Sequence, residues 1–144
     1  MESLSDADLA FAGIAEQARL LRDRTVTSAD LVDTYLERIE RFDPAINAFR
    51  TVFHSSARRA AAEADERIRS GETAPLLGVP VAIKDELDIA GRVTRHGTAA
   101  FDQPAGQNSA HVQKLLDAGA VLLGTTHLPE LAICGFTESR SNGE

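Results

Sequence analysis

The sequence predicts an α/β fold, because amphipathic helical segments alternate with short apolar runs of the kind found in buried strands. Two apolar runs, at residues 79–83 and 120–123, carry the strand prediction. Alanine and leucine supply much of the remaining apolar content, which favours helices between them. With 144 residues the chain has the size of one ordinary domain, and it shows no internal repeat or low-complexity segment.

The N-terminal part is predicted to begin with two helices. Residues 9–23 have apolar side chains spaced three and four apart, which predicts one helix with an inward face made of Phe11, Ile14, Ala18 and Leu21. Thr27 followed by Asp30 is typical of a helix N-cap, so a second helix should run from there to about residue 41. Pro44 is expected to end it, because the residue before proline is pushed out of the helical region.

The next predicted elements are a short strand at 46–53 and a third helix capped by Ser55 or Ser56. Small residues at Ala57, Ala61 and Ala64 would let this helix approach a neighbour closely. After the strand at 79–83, residues 91–106 are rich in glycine and small polar residues and are predicted to form a loop. A helix at 109–118, the strand at 120–123 and a short helix at 128–133 complete the pattern.

Composition excludes several classes of function. The net charge of −7 argues against nucleic acid or an anionic membrane as a partner, and no apolar run approaches the ~18 residues of a membrane helix. The acidic first ten residues do not resemble a signal peptide. The single Cys134 is predicted to be a buried, inert thiol, which fits a reducing cytoplasm. The four histidines lack metal-ligand spacing, and no phosphate-binding glycine loop is present, so nothing indicates a zinc site or a bound nucleotide.

Lys84 closes the apolar run at 79–83 and is the candidate catalytic residue. A buried ammonium must find hydrogen-bond partners or lose its proton, and a neutral lysine can act as a general base toward a nearby hydroxyl. From the residue pattern alone, a surface lysine that merely ends a strand is the favoured interpretation. The motifs around Lys84 favour the catalytic interpretation instead.

Several motifs in one order resemble the amidase signature family. Residues 78–91 match its Gly-Val-Pro-x-x-x-Lys-Asp stretch, and Thr94, Gly97 and Thr98 follow as in that family. Residues 117–126 resemble its Ala-Gly-Ala-apolar-apolar-Gly-Lys-Thr segment, and 129–132 match its Pro-Glu-apolar-Ala element. The threonine-acid pair at 137–138 also fits.

The resemblance implies the fold and the chemistry of the family. Residues 1–144 would be the N-terminal part of a single amidase domain, with a helical region at 1–74, the start of the signature core at 75–138 and a divergent tail at 139–144. The chain would supply the N-terminal helices and first strands of a mixed sheet, incomplete by itself. The family cleaves small-molecule amides with a Ser, cis-Ser, Lys triad and no cofactor or metal, and Lys84 aligns with the triad lysine.

This sequence departs from the family pattern in three places. Thr125 and His127 replace a frequent lysine and asparagine, at positions outside the triad. The serine-rich Gly-Gly-Ser-Ser-Gly-Gly-Ser loop is not found in the 144 residues, and Ser55-Ser56 is not a substitute for it. The polypeptide alone is therefore predicted to be inactive, as a truncated or frameshifted amidase. Two alternatives stay open: a non-catalytic interaction fragment that forms a homodimer or binds a full-length amidase through its alanine-rich face, and the glutaminase subunit of a tRNA-dependent amidotransferase.

Overall fold

The computed structural model describes residues 6–137, which form a small mixed sheet with helices on both faces. The helices are α1 (Asp6–Phe11), α2 (Gly13–Arg22), α3 (Ser28–Ile46), α4 (His54–Arg69) and α5 (Ala110–Asp117). The strands are β1 (Phe49–Val52), β2 (Pro80–Lys84) and β3 (Val121–Thr126), followed by a 3₁₀ helix at Glu130–Ala132. The predicted α/β class is confirmed. The predicted pair at 137–138 and tail at 139–144 reach beyond the described residues.

The sheet has the strand order β1-β3-β2, so β3 lies at its centre. β3 pairs antiparallel with β1 and parallel with β2, and α5 lies in the crossover between the two parallel strands. Alternate residues of a strand face opposite sides. Val121 and Leu123 accordingly pack against α3 and α4, whereas Leu122 packs in the cluster that contains Val112 of α5.

The N-terminal helix prediction was wrong in one respect. Gly13 adopts a positive φ of 76° and divides the predicted helix into α1 and α2. The change of direction leaves Phe11 and Ile14 exposed instead of buried. Gln17 takes an inward position, because its side-chain amide donates to the Leu9 carbonyl (3.0 Å) and to the Tyr35 hydroxyl (2.7 Å).

Helix α3 begins as predicted but ends later. The Thr27 hydroxyl accepts the Asp30 N–H, and the Asp30 carboxylate accepts the Thr27 N–H, which is a complete capping box. Pro44 lies inside the helix instead of ending it. Asp43 satisfies the groups that follow the helix: its carbonyl accepts the Asn47 N–H, and its carboxylate accepts the N–H groups of Ala48 and Phe49.

The alanine-rich face of α4 is buried within the fold. Ala57, Ala61 and Ala64 are at most 3% exposed, and Ala57 and Ala61 share a core cluster with Val32 and Leu36 of α3. The predicted close approach of helices is confirmed. The interaction-fragment hypothesis had assumed that this face binds a partner. Because the face is buried within the chain, it is not available to one. The predicted serine cap was also wrong, since α4 begins at His54 and has no side-chain cap.

Two further findings concern predictions made from composition. Cys134 is exposed, so the prediction of a buried thiol was wrong; residues 131–137 all lie on the surface, and the apolar run around Cys134 therefore joins no core. Among residues 6–137, none of the helices is both long and apolar enough to cross a membrane.

Candidate active site around Lys84

Lys84 is the last residue of β2 and stands beside Thr126 of the central strand in the parallel register. Its side chain is 46% exposed, and its Nζ lies 3.2 Å from Glu86 Oε1. The structure therefore places the ammonium at the surface, as the residue pattern alone favoured, and does not bury it. An amine in this position is accessible to a group that approaches the end of the strand.

Asp85 follows Lys84 and has the opposite environment, with 1% of its residue surface exposed. Its N–H donates to the Thr126 carbonyl (3.0 Å), and its carbonyl accepts the His96 N–H (3.0 Å). Its carboxylate accepts the Arg95 N–H at 3.2 Å. Burial raises the pKa of Asp85, while Arg50, the Arg95 N–H, His96 and His127 act in the opposite direction.

Arg50 reaches Asp85 from the far side of the central strand. The pairing of β1 with β3 shifts register between Phe49 and Thr51, so Arg50 stands opposite no residue of β3. Such bulges redirect a side chain. Here the Nε atom of Arg50 lies 3.3 Å from Asp85 Oδ2, and its side chain is 24% exposed. The ion pair thus links the start of β1 to the residue that follows β2, across the end of β3.

The two loop segments that carry family motifs pack against each other beside this strand end. A Cβ on Gly97 would lie 2.7 Å from the carbonyl oxygens of Leu128 and Pro129, and Gly97 also has a positive φ of 71°. The Leu131 N–H donates to the His96 carbonyl (2.8 Å). Glycine is therefore required at 97, because any side chain would separate the two segments. The motif residues at 94–98 and 129–132 are brought together with Asp85.

The two positions that depart from the family pattern lie in the same region. Thr125 is buried in β3 and pairs with Ile83 and Thr51, so it is part of the packing. His127 follows β3, and its N–H donates to the Ala48 carbonyl (2.8 Å). Among the described residues, the buried side-chain atoms without a hydrogen-bond partner are Arg95 Nε, Thr125 Oγ1 and His127 Nδ1. All three belong to the segments around this strand end.

A groove of about 530 Å³ lies on one face of the sheet. Its floor includes Pro80 and Ala82, which by alternation share the face of β2 that carries Lys84. Its walls come from α3 and β1 and are largely apolar: Tyr35, Ile39, Phe42, Ile46 and Phe49. Within residues 6–137, no group of three or more histidine, cysteine, aspartate or glutamate side chains is placed to hold a metal ion.

Comparison with known proteins decides the family. The Amidase family model matches residues 30–144. The chain belongs to the amidase family. Its predicted resemblance to the amidase signature is thereby confirmed. A crystal structure described as an amidase superposes on the chain with a TM-score of 0.83. The two are 32% identical, and the match covers 90% of this chain and 30% of that one.

Two relatives illustrate the range of this amidase family. AmiB2 of Mycobacterium tuberculosis, a protein classed as an amidase, is 48% identical over 140 residues, which are 97% of this chain and 30% of AmiB2. A glutamyl-tRNA(Gln) amidotransferase subunit of Dehalococcoides mccartyi is 41% identical over 133 residues, which are 92% of this chain and 27% of that relative. The chain thus spans about a third or less of the length of these two relatives.

The amidase motifs led the sequence analysis to Lys84 but not to Asp85 or Arg50. The signal for Asp85 is the motif itself, in which an aspartate directly follows the lysine. No local signal identifies Arg50, since its role depends on a register shift in β1 and on the order of strands.

Proposed function

We propose that this chain is the lysine-bearing part of an amidase that uses a Ser, cis-Ser, Lys mechanism, with Lys84 as the base. The observation that carries the proposal is the position of Lys84: it emerges at the end of β2, beside the packed motif segments at 94–98 and 128–131, with its amine accessible. In the family's mechanism the lysine accepts a proton relayed from the nucleophilic serine through the middle serine. The serine then attacks the amide carbonyl.

The substrate class is a small-molecule carboxylic amide, as for simple amide hydrolases. A base at this position must be neutral when it accepts the serine proton. In this structure the ammonium of Lys84 is paired with Glu86. Before the first proton transfer, Nζ would therefore have to release one proton to solvent and exchange Glu86 for the serine hydroxyl as its partner.

We also propose that a polypeptide of these 144 residues does not hydrolyse amides by itself. The serine-rich loop does not occur in the sequence, and a triad without its nucleophile loses most of its catalysis. The measurement is ammonia release by the purified polypeptide from a panel of aliphatic and aryl amides. The expected result is no release above buffer, and turnover that disappears in Lys84→Ala would contradict it.

The role of Lys84 is tested in a chimera in which this chain replaces the matching 140 residues of AmiB2. The same amide panel, assayed first on unmodified AmiB2, identifies the substrate. Because the sequence contains only two lysines, Lys114 on the exposed side of α5 is the matched control. We expect Lys84→Ala to lower kcat by on the order of 10³-fold or more, as for other triad members, and Lys114→Ala to change little. Equal activity of the two variants would refute the assignment.

A second candidate function is the glutaminase subunit of a tRNA-dependent amidotransferase. The observation in its favour is the 41% identity to the glutamyl-tRNA(Gln) amidotransferase subunit of Dehalococcoides mccartyi. The two candidates differ in what they require. A simple amidase needs only its substrate, whereas the glutaminase would release ammonia from glutamine in dependence on partner subunits and tRNA.

Cytoplasmic location and association with another protein are part of the proposal. A single cysteine in 144 residues supports a reducing compartment.

Exposed apolar side chains at Phe11, Ile14 and Ile46 support association with a second copy or with a larger amidase. Size-exclusion chromatography with light scattering distinguishes a homodimer from a monomer, and co-purification tests the larger partner. With a net charge of −7, neither nucleic acid nor membrane is proposed as a partner of the simple amidase.

A further inference from the structure

Lys84 and Asp85 are neighbours in sequence but lie in opposite environments at the end of β2. The lysine side chain is 46% exposed, while Asp85 is 1% exposed. The direction of the lysine side chain is set by the backbone that carries it. That backbone is continuous with Asp85, so whatever fixes Asp85 also fixes the point from which Lys84 emerges.

Asp85 is held by both its backbone and its carboxylate. The backbone bonds to Thr126 of β3 and to His96 of the loop at 94–98. The Oδ2 atom of its carboxylate accepts the Arg95 N–H at 3.2 Å and lies 3.3 Å from Arg50 Nε. One buried residue is thus attached to the central strand, to the motif loop and, through Arg50, to the bulge of β1.

The charge of Asp85 matters for this arrangement. A neutral amide of the same shape could still accept the Arg95 N–H, but it would not neutralise the partly buried guanidinium of Arg50. Removing one member of a buried ion pair leaves the other uncompensated and is costly. Placing an acid here is also costly without a partner. The pair therefore holds a specific geometry that an apolar side chain could not reproduce.

We propose that Asp85, held by Arg50, is the positioning residue for Lys84. It anchors the end of β2 so that the Lys84 amine projects from one fixed point next to the motif loop. The inference rests on the proposed role of Lys84 as the base. Its mechanistic value is that a catalytic group must be held to within about 0.5 Å, and displacement of about 1 Å can cost roughly 10²-fold in rate.

The test uses the only two lysines of the chain as site-specific probes. Reductive methylation with ¹³C-formaldehyde labels both lysines and the N-terminal amine, and Lys114→Arg assigns the two lysine signals by NMR. We expect Asp85→Asn and Arg50→Ala to shift or broaden the Lys84 methyl signal and to leave the Lys114 signal in place. Arg50→Gln keeps a side-chain N–H donor and adds no amine that the reagent can label, so it should shift the Lys84 signal less than Arg50→Ala does. The matched control is Asp33→Asn, which removes the exposed Arg58–Asp33 ion pair and should move neither signal.

Each outcome supports or overturns the role of Asp85. If Asp85→Asn unfolds the chain, as seen by circular dichroism, Arg50→Ala and Arg50→Gln carry the test. A lower melting temperature with an unmoved Lys84 signal would show that the pair is merely structural and would overturn the proposal. In the AmiB2 chimera, positioning predicts that Asp85→Asn lowers kcat with little change in KM. If Lys84→Ala leaves the chimera active, the proposed function fails, while the NMR result still reports on the pair.

Discussion

Gly124 of the central strand lies directly against the backbone of Thr51 in β1: a Cβ built on Gly124 would be 2.3 Å from the Thr51 carbonyl oxygen. Gly124 is paired with Val52 on one side and with Ala82 on the other, so the contact lies in the middle of the sheet. It also lies next to the register shift that releases Arg50 from the ladder. The close approach of the two backbones therefore lies beside the bulge that supplies Arg50, the partner of Asp85.

Replacing Gly124 by alanine is expected to destabilise the fold. Since the obstructing atom belongs to the backbone, β1 would have to move, and overpacking of this kind costs about 3 kcal/mol. Urea unfolding followed by circular dichroism measures the free energy of unfolding. Gly106 is the control, because a Cβ there meets no atom within 4 Å, and Gly106→Ala should change stability by less than about 0.5 kcal/mol. Equal effects of the two substitutions would show that the contact is not rigid.

The capping box of α3 gives a second prediction about stability. Thr27→Ala removes the hydroxyl that accepts the Asp30 N–H, and loss of an N-cap of this type costs about 1 kcal/mol. Thr25 is nearby, exposed and outside the helix, so Thr25→Ala is the matched change without a cap. The same urea titration compares the two variants. If Thr25→Ala lost as much stability as Thr27→Ala, the cap would not be the cause.

Cys134 provides a test of the exposed segment after the 3₁₀ helix. Because its side chain is at the surface, a chromogenic disulfide reagent should modify it in the native protein. We expect one thiol per chain to react at a rate close to that of the urea-unfolded protein, measured by the absorbance of the thiolate that the reagent releases. Labelling that begins only when the protein unfolds would place Cys134 in a core.

Local chemistry made some elements of the fold predictable. The start of α3 depends on Thr27 and Asp30 alone, and the small-residue face of α4 follows from the spacing of its alanines. The break at Gly13 and the burial of Gln17 were not predictable in this way. The burial of Gln17 depends on its contacts with Leu9 and Tyr35, which come from different elements.

The candidate site also has some features that the local sequence predicts and others that depend on tertiary structure. Lys84 could be identified because a motif surrounds it in the sequence, and its position at the end of a strand could be predicted from the apolar run before it. The residue pattern alone also favoured its exposure, whereas the burial of Asp85 depends on tertiary structure. Arg50 and the loop at 94–98 come from separate parts of the chain and meet at Asp85 only because β3 lies between β1 and β2.

The buried carboxyl of Asp85 makes the stability of the protein depend on pH. Burial raises the pKa of Asp85 above its ordinary value, so the folded state binds this proton more tightly than the unfolded state does. The carboxyl therefore lowers stability above its folded pKa. That loss is relieved as the pH falls through the folded pKa toward the unfolded value of about 3.9.

The expected result is a difference between two proteins. As the pH is lowered from about 7 to about 4, the free energy of unfolding of the original protein should rise relative to that of Asp85→Asn, which has no proton to bind at this position. Urea titrations at each pH give the two values. Arg50, His96 and His127 are present in both proteins, so the difference reports the Asp85 carboxyl together with its interactions with these three groups. A difference that falls with decreasing pH would mean that Arg50 and the Arg95 N–H outweigh burial, and that the pKa of Asp85 is lowered by folding.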